Sequence, residues 1–285
     1  MTTYRIIPLS LTTTVPTLEV SVRAYLLADD SDRAILIDAG FQESVTEIER
    51  RLDEASLTLH SVWLTHYHPD HALGALPLAQ RHGVDIHIHP LESARVIDLY
   101  QNHYPGFTDL RIVADLTDGH STTFADTELT VLHIPGHTHG HIAIFDQKYG
   151  RLFAGDHVIP EGTVWIGPPD GHLCDYLDSL DRLLTLPVAT LYPGHGDPVA
   201  APHALMVAMK QRRLLRESDI LATLQAGELT AEQVFARVYS NQVPTDFAWA
   251  AKKMVVAHLQ KLLAERLVRL RYDVATRLFF YRAAT

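Results

Sequence analysis

"LTHYHPDH", residues 64–71, sets four side chains able to bind a metal, His66, His68, Asp70 and His71, within six consecutive positions. It follows the apolar, β-rich run "HSVWL", so the cluster sits where a buried strand runs out into a loop. On an extended strand end, residues two apart point the same way, which pairs His66 with His68. Asp70 and His71 come after the turn at Pro69 and face the opposite side of the same cavity. One loop of this design can serve two metals, and each metal needs further ligands from distant segments.

Those ligands are sought in the same local pattern: an apolar strand, often a glycine, then a coordinating side chain. "PGHTHGH" (135–141) offers His137, with Pro135 ending a strand and Gly136 allowing an unusual backbone. "RLFAGDH" (151–157) places Asp156 directly after its strand, and "YPGHG" (192–196) brackets His195 between glycines. A lone "GHG" or "GD" is an ordinary turn. All four segments in this order, each after a strand signal, form a constellation that brings seven ligands to one sheet edge.

The wider chain fits such an enzyme. It has 285 residues, 47% hydrophobic and 20% charged, enough for one large core or two smaller ones. No apolar run approaches the roughly 20 residues of a bilayer span. The start, "MTTYRIIPLS", lacks a secretion-signal pattern, and the single Cys174 forms no internal disulfide, so a cytoplasmic enzyme is expected. Histidine is abundant, with 18 copies against 24 Lys plus Arg. The net charge of −10 is unevenly spread: residues 1–205 carry 11 basic and 27 acidic side chains (−16), and residues 206–285 carry 13 and 7 (+6).

That asymmetry points to two units. Up to about residue 205, short strands alternate with helices. "VRAYLLAD" and "AILIDAG" read as a hairpin about "DSD", "ESVTEIERRLDEA" as a helix, and "ALPLAQRHG" as a helix closed by Gly83. "VDIHIHP" is a strand halted by Pro90, "ESARVIDLY" a helix, and residues 121–156 a run of strands turning at "QKYG". Beyond "GDPVAAPH" come three helices, 204–225, 228–239 with a Thr230/Gln233 capping box, and 247–267. Two β-like runs about "VAT" close the chain, the layout of a winged helix. The expected domains are 1–205 and 206–285.

"THYHPDH", "PGHTHGH", "AGDH" and "PGHG", in this order, resemble the metallo-β-lactamase-fold hydrolases, among them hydroxyacylglutathione hydrolase (glyoxalase II) and its relatives. The resemblance covers most of residues 1–205. It implies an α/β (α+β) fold, an αββα sandwich with a binuclear site at one edge, followed here by the winged helix. It also implies that His66, His68 and His137 hold a first metal, that Asp70, His71 and His195 hold a second, and that Asp156 bridges them. Asp38 in "LIDAG" matches a strand-end acid that supports such sites from behind. True β-lactamases of this fold lack the bridging Asp, and flavo-diiron relatives carry Glu where His68 stands. Two departures are noted, Ile134 where Thr is common and the extra imidazole of His139. His87 and His89 are expected in packing roles, His133 in a supporting hydrogen bond, and His157 facing away.

Two divalent ions about 3.5–4 Å apart share a water and lower its pKa from near 16 toward 7. Asp70 would orient the hydroxide so formed and accept its proton, and no Ser or Cys nucleophile is needed; no G-x-S-x-G elbow is present. The ions are expected to be zinc, with iron or manganese as alternatives. The first substrate reading is a thioester or ester. The alternative is single-stranded RNA, favoured by Lys252, Lys253, Lys261, Arg266, Arg269 and Arg271 and opposed by the −16 of the catalytic part. A third reading, a non-catalytic DNA-binding regulator, leaves the ligand set unused. Tyr176, in the loop-to-helix segment 164–180, is a candidate substrate contact or a core aromatic. A homodimer and no membrane partner complete the expectations.

Overall fold

The structure is a computed structural model that describes residues 3–15, 18–107, 111–239 and 243–284. Its contacts divide the chain into two compact units. The first comprises residues 1–134, 140–163 and 186–202, and the second 135–139, 164–185 and 203–285.

The first unit contains two six-stranded sheets. One runs in chain order: β1 (Arg5–Val15), β2 (Leu18–Ala28), β3 (Arg33–Ile37), β4 (Thr58–Trp63), β5 (Asp85–His87) and β6 (Ile112–Val113). The long β1–β2 pairing is antiparallel, and β3 to β6 are parallel. Parallel strands need crossovers. Those after β3 and β4 carry α1 (Val45–Glu54), the single turn α2 (Pro69–Ala72) and α3 (Ala75–His82); the β5–β6 crossover carries α4 (Pro90–His103). The second sheet is ordered β12-β11-β10-β9-β8-β7. Its strands are β7 (Ser121–Phe124), β8 (Thr127–His133), β9 (Ile142–Asp146), β10 (Arg151–Gly155), β11 (Thr190–Pro193) and β12 (Val199–Ala200).

Strand alternation sorts the side chains of the first sheet into two cores. Leu26, Leu36, Val62 and Ile86 face the helices, packing with Ile48, Leu52, Leu76 and Val96. Tyr25, Leu27, Ile35, Ile37 and Trp63 face the second sheet, meeting Leu129, Val131, Ile142, Ile144 and Phe153. With both faces covered, β3 reads as an apolar run, as parallel strands do. Two expected stops hold: Gly83 closes α3 in the left-handed region (φ 69°), and Pro90 opens α4 at its first turn, with His89 as N-cap.

The second unit contains α5 (Leu173–Leu184), α6 (His203–Gln225), α7 (Ala231–Tyr239), α8 (Ala248–Ala264) and the hairpin β13 (Val268–Asp273)–β14 (Leu278–Ala283). Ile220, Leu224, Val234, Val255, Leu259, Leu262 and Val268 form its core. The Thr230/Gln233 capping box closes in both directions, at 2.9 and 3.2 Å, and fixes the start of α7. Three helices followed by a wing are thus as the sequence predicts. Among the described residues, no helix is long and apolar enough to cross a membrane.

Candidate metal centre

The site grows from the C-terminal ends of β3, β4, β10 and β11, where each strand gives way to a loop. Behind β3, Asp38 sits at φ 56°, a left-handed conformation that Asp tolerates better than most residues. Its carboxylate repays the strain by accepting from Thr65 N (2.8 Å) and Thr65 Oγ1 (2.8 Å). The same carboxylate receives His71 Nδ1–H at 2.8 Å, which fixes the tautomer of His71 and turns its Nε2 outward. Asp38 therefore positions His71, the supporting role that the resemblance implied.

His71 Nε2 lies 3.3 Å from Asp156 Oδ1 and 3.7 Å from Asp70 Oδ2. His195 Nε2 lies 3.3 Å from both Asp70 Oδ2 and Asp156 Oδ2. The opposite nitrogen of His195 donates to Ser21 O at 2.6 Å, so it too is tied back and aimed at the carboxylates. The loop that carries it is strapped to β2: Arg23 N–H donates to Gly194 O (2.7 Å) and Arg23 Nε to Gly196 O (3.1 Å). Gly194 has no substitute here, because a Cβ would lie 2.4 Å from Asp156 Oδ1 and 2.7 Å from His71 Cε1. His66 and His68 converge from the other part of the loop, with ring nitrogens 2.9 Å apart. Two triads, His66/His71/Asp156 and Asp70/His71/His195, each bring one ligand atom per residue within 4.8 Å of the others.

The electrostatics follow from this crowding. Burial favours neutral His71, yet the charges of Asp156, Asp70 and Asp38 outweigh it and hold the imidazole well above its ordinary value. For His195 the same contest, led by burial and then Asp156, ends with its pKa pushed up to about 10. Burial would raise the carboxyls of Asp70 and Asp156; the imidazoles beside them prevail and hold both below the usual carboxylate range. Carboxylates and imidazoles that keep one another charged, with supporting hydrogen bonds on their outer sides, fit a divalent cation, which would replace the imidazole protons.

His137 belongs to the second unit. Its Nδ1 donates to Trp165 O at 2.6 Å, the same tie-back seen for His71 and His195, so Nε2 is the atom that could serve a metal. Gly136 adopts φ 133°, and a Cβ there would lie 2.3 Å from Tyr176 Cα, so that loop position also requires glycine. Tyr176 is core: its ring is fully buried, with the Arg213 guanidinium 5.6 Å from its centroid. As a substrate contact it is set aside, because no part of the ring reaches a surface.

Two supporting residues had no role in the sequence reading. Glu92, on the first turn of α4, is 1% exposed and accepts from Gly140 N (2.6 Å) and Tyr67 N (3.1 Å), tying those two backbone positions together. His141 is fully buried, and its Nε2 accepts from Asp156 N at 3.1 Å, which fixes the backbone of the bridging candidate. A carboxylate inside an amphipathic helix, directly after a strand with two histidines, was the only available signal for the first. Elsewhere, His87 pairs with Asp115 at 3.0 Å, and His89 stacks on His133 at 4.3 Å. His157, expected to face away, is fully buried beside His141, with ring centroids 5.7 Å apart.

Imidazoles and carboxylates gathered at the strand ends of a two-sheet sandwich define a metal-dependent hydrolase. The chain belongs to the metallo-beta-lactamase superfamily, whose family model matches residues 18–195, and residues 230–273 match the beta-lactamase associated winged helix domain. It is similar to a beta-lactamase-like protein 2 homolog of Drosophila melanogaster, 25% identical over 90% of this chain and 87% of the relative. It is also similar to a hydroxyacylglutathione hydrolase of Synechococcus sp. (strain JA-3-3Ab), 32% identical over 58% of this chain and 60% of that one. A crystal structure of a metallo-beta-lactamase family protein from Thermus thermophilus shares the fold, with TM-score 0.76 at 24% identity and 98% of each chain covered.

Proposed function

We propose that this chain is a binuclear metal-dependent hydrolase of thioesters or esters. In this reading His66, His68 and His137 would hold one ion, Asp70, His71 and His195 would hold the other, and Asp156 would be shared. When bound, the ions would polarise the acyl carbonyl and make a water acidic enough to attack at neutral pH. Zinc suits an imidazole–carboxylate donor set; iron and manganese are the alternatives.

The protein residues supply the rest. Asp70, a carboxylate beside both candidate ion positions, would orient the attacking water and take its proton on Oδ2. Asp38 keeps His71 in the tautomer that presents Nε2. A thiolate is a good leaving group, so no general acid is required of the chain. The observation that carries the proposal is the meeting of Asp70, His71, Asp156 and His195 at 3.3–3.7 Å, brought together from separate strand ends.

Similarity to a hydroxyacylglutathione hydrolase supports thioesters as the substrate class. The RNA alternative loses its main support, because three of its six basic side chains are engaged. Lys252 pairs with Glu232, Lys261 with Glu217 and Glu265, and Arg271 with Glu228 and Asp273. Cytoplasmic residence belongs to the same proposal. The test is a panel of acyl-thioesters and esters offered to the metal-loaded chain, with labelled single-stranded RNA alongside. Thioester turnover with intact RNA is expected; cleaved RNA with every acyl substrate untouched overturns the proposal.

A further inference from the structure

α6 is apolar on two opposite faces, and its own unit covers one of them. Met206, Met209, Arg213, Ile220 and Leu224 lie on the buried face. At about 3.6 residues per turn, Ala204, Ala208, Gln211, Leu215, Ser218 and Ala222 line the other, spaced alternately four and three residues apart. All six are exposed, Leu215 by 66%. Val207 and Leu214, also exposed, run along one flank of this stripe. A surface helix ordinarily turns charged side chains to water. Over about 34 Å, this one turns aliphatic and small uncharged side chains outward. Exposed apolar surface of that extent marks a site of association.

Two charges identify the partner. The flank opposite Val207 and Leu214 carries Arg212 and Asp219, a cation and an anion two turns apart, both exposed. Asp219 contacts Arg216 of its own helix at 3.8 Å, and its side chain stays 63% exposed. The midpoint between Arg212 and Asp219 falls beside Leu215. A two-fold axis through that point, perpendicular to the helix, lays a second α6 antiparallel on the first and sets like flanks together. Arg212 of each copy then meets Asp219 of the other. Leu215 packs on its own symmetry mate, the two Leu214 flanks meet, and Ala208 lies near Ala222 of the second copy. A parallel pair would set Arg212 on Arg212 and Asp219 on Asp219, so the charges select the antiparallel arrangement. A face that complements itself in this way is what an isologous interface requires.

We infer that the exposed face of α6 is a homodimer interface, in which two copies of this chain pair their α6 helices antiparallel about Leu215. Apolar contact along the stripe supplies the attraction, and the Arg212–Asp219 pairs at its edge set the register.

Sedimentation velocity of the full chain tests this, in about 0.15 M salt so that its net charge of −10 is largely screened. The wild type is expected to sediment as a dimer, at twice 31.9 kDa. Leu215→Glu places two like charges at the axis and is expected to sediment as a monomer, with the circular dichroism of the wild type. Asp219→Arg sets arginines face to face at both edges and is expected to weaken dimerisation about tenfold. Adding Arg212→Asp to Asp219→Arg exchanges the two charges and is expected to restore the wild-type association. Nonspecific apolar adhesion, or a different protein on this face, would not respond to that exchange. A wild type that stays monomeric, a dimer that survives Leu215→Glu, or a double variant no stronger than Asp219→Arg alone overturns the inference.

Discussion

His71 and His258 are both fully buried imidazoles, each 0% exposed, and their surroundings drive them in opposite directions. His71 lies among Asp38, Asp70 and Asp156 and is held well above its ordinary value, although burial pulls the other way. His258, on α8 of the second unit, is lowered first by burial and then by Arg213, Arg216 and Lys261, to about 3. Burial by itself favours the neutral ring in both places. The neighbours decide which imidazole marks a cation site and which is locked neutral in a core.

The contrast breaks most completely if the carboxylates are removed. Asp156→Ala should abolish hydrolysis by roughly a thousandfold or more and lose bound metal, since it removes a ligand that both ions would share. Steady-state kinetics beside metal analysis checks this. Asp38→Asn keeps the shape but withdraws the charge behind His71, and metal affinity should fall about 10- to 100-fold, read by competition with a chromophoric chelator.

At the other imidazole the prediction concerns pH. The folded pKa of His258 is depressed below the unfolded value of about 6.5. Its contribution is therefore present in full above that pH and is lost as the pH falls from there toward 3, because the unfolded chain takes up the proton first. Each pH unit in that window costs about 1.4 kcal/mol, or about 2 kcal/mol between pH 7 and pH 5. Urea unfolding of wild type against His258→Leu at those two values should show a difference of that size, with the variant less acid-sensitive. Equal pH dependence in both would show that His258 is protonated in the fold. The smallest effect is expected for Glu92→Gln: one amide oxygen cannot serve both Gly140 N and Tyr67 N, so thermal stability should fall by about 1–2 kcal/mol.

What the sequence revealed follows the range of the forces involved. The candidate ligands that each follow their own strand were legible because every loop repeats the same short pattern, and Asp38 was legible only through the resemblance of "LIDAG" to the family. The capping box at Thr230 and the stop at Gly83 are likewise local. Glu92 and His141 were not, since their work is to hold loops far away in the chain, Tyr67 and Gly140 in one case and Asp156 in the other. The β1 strand was missed because "LTTTV" shows no apolar alternation; its partner β2 organises it. Lys261, counted among the basic side chains available to RNA, is instead buried between Glu265 and Glu217, the latter on α6, a pairing across helices that no local pattern discloses.

The most direct measurement is the metal stoichiometry of the purified full chain by inductively coupled plasma mass spectrometry, after loading and removal of loose ions. Two ions per chain are expected for the wild type, with at most one retained after His137→Ala or His195→Ala. A wild-type chain that holds no metal, or a His137→Ala chain that still holds two, would contradict the seven-ligand centre.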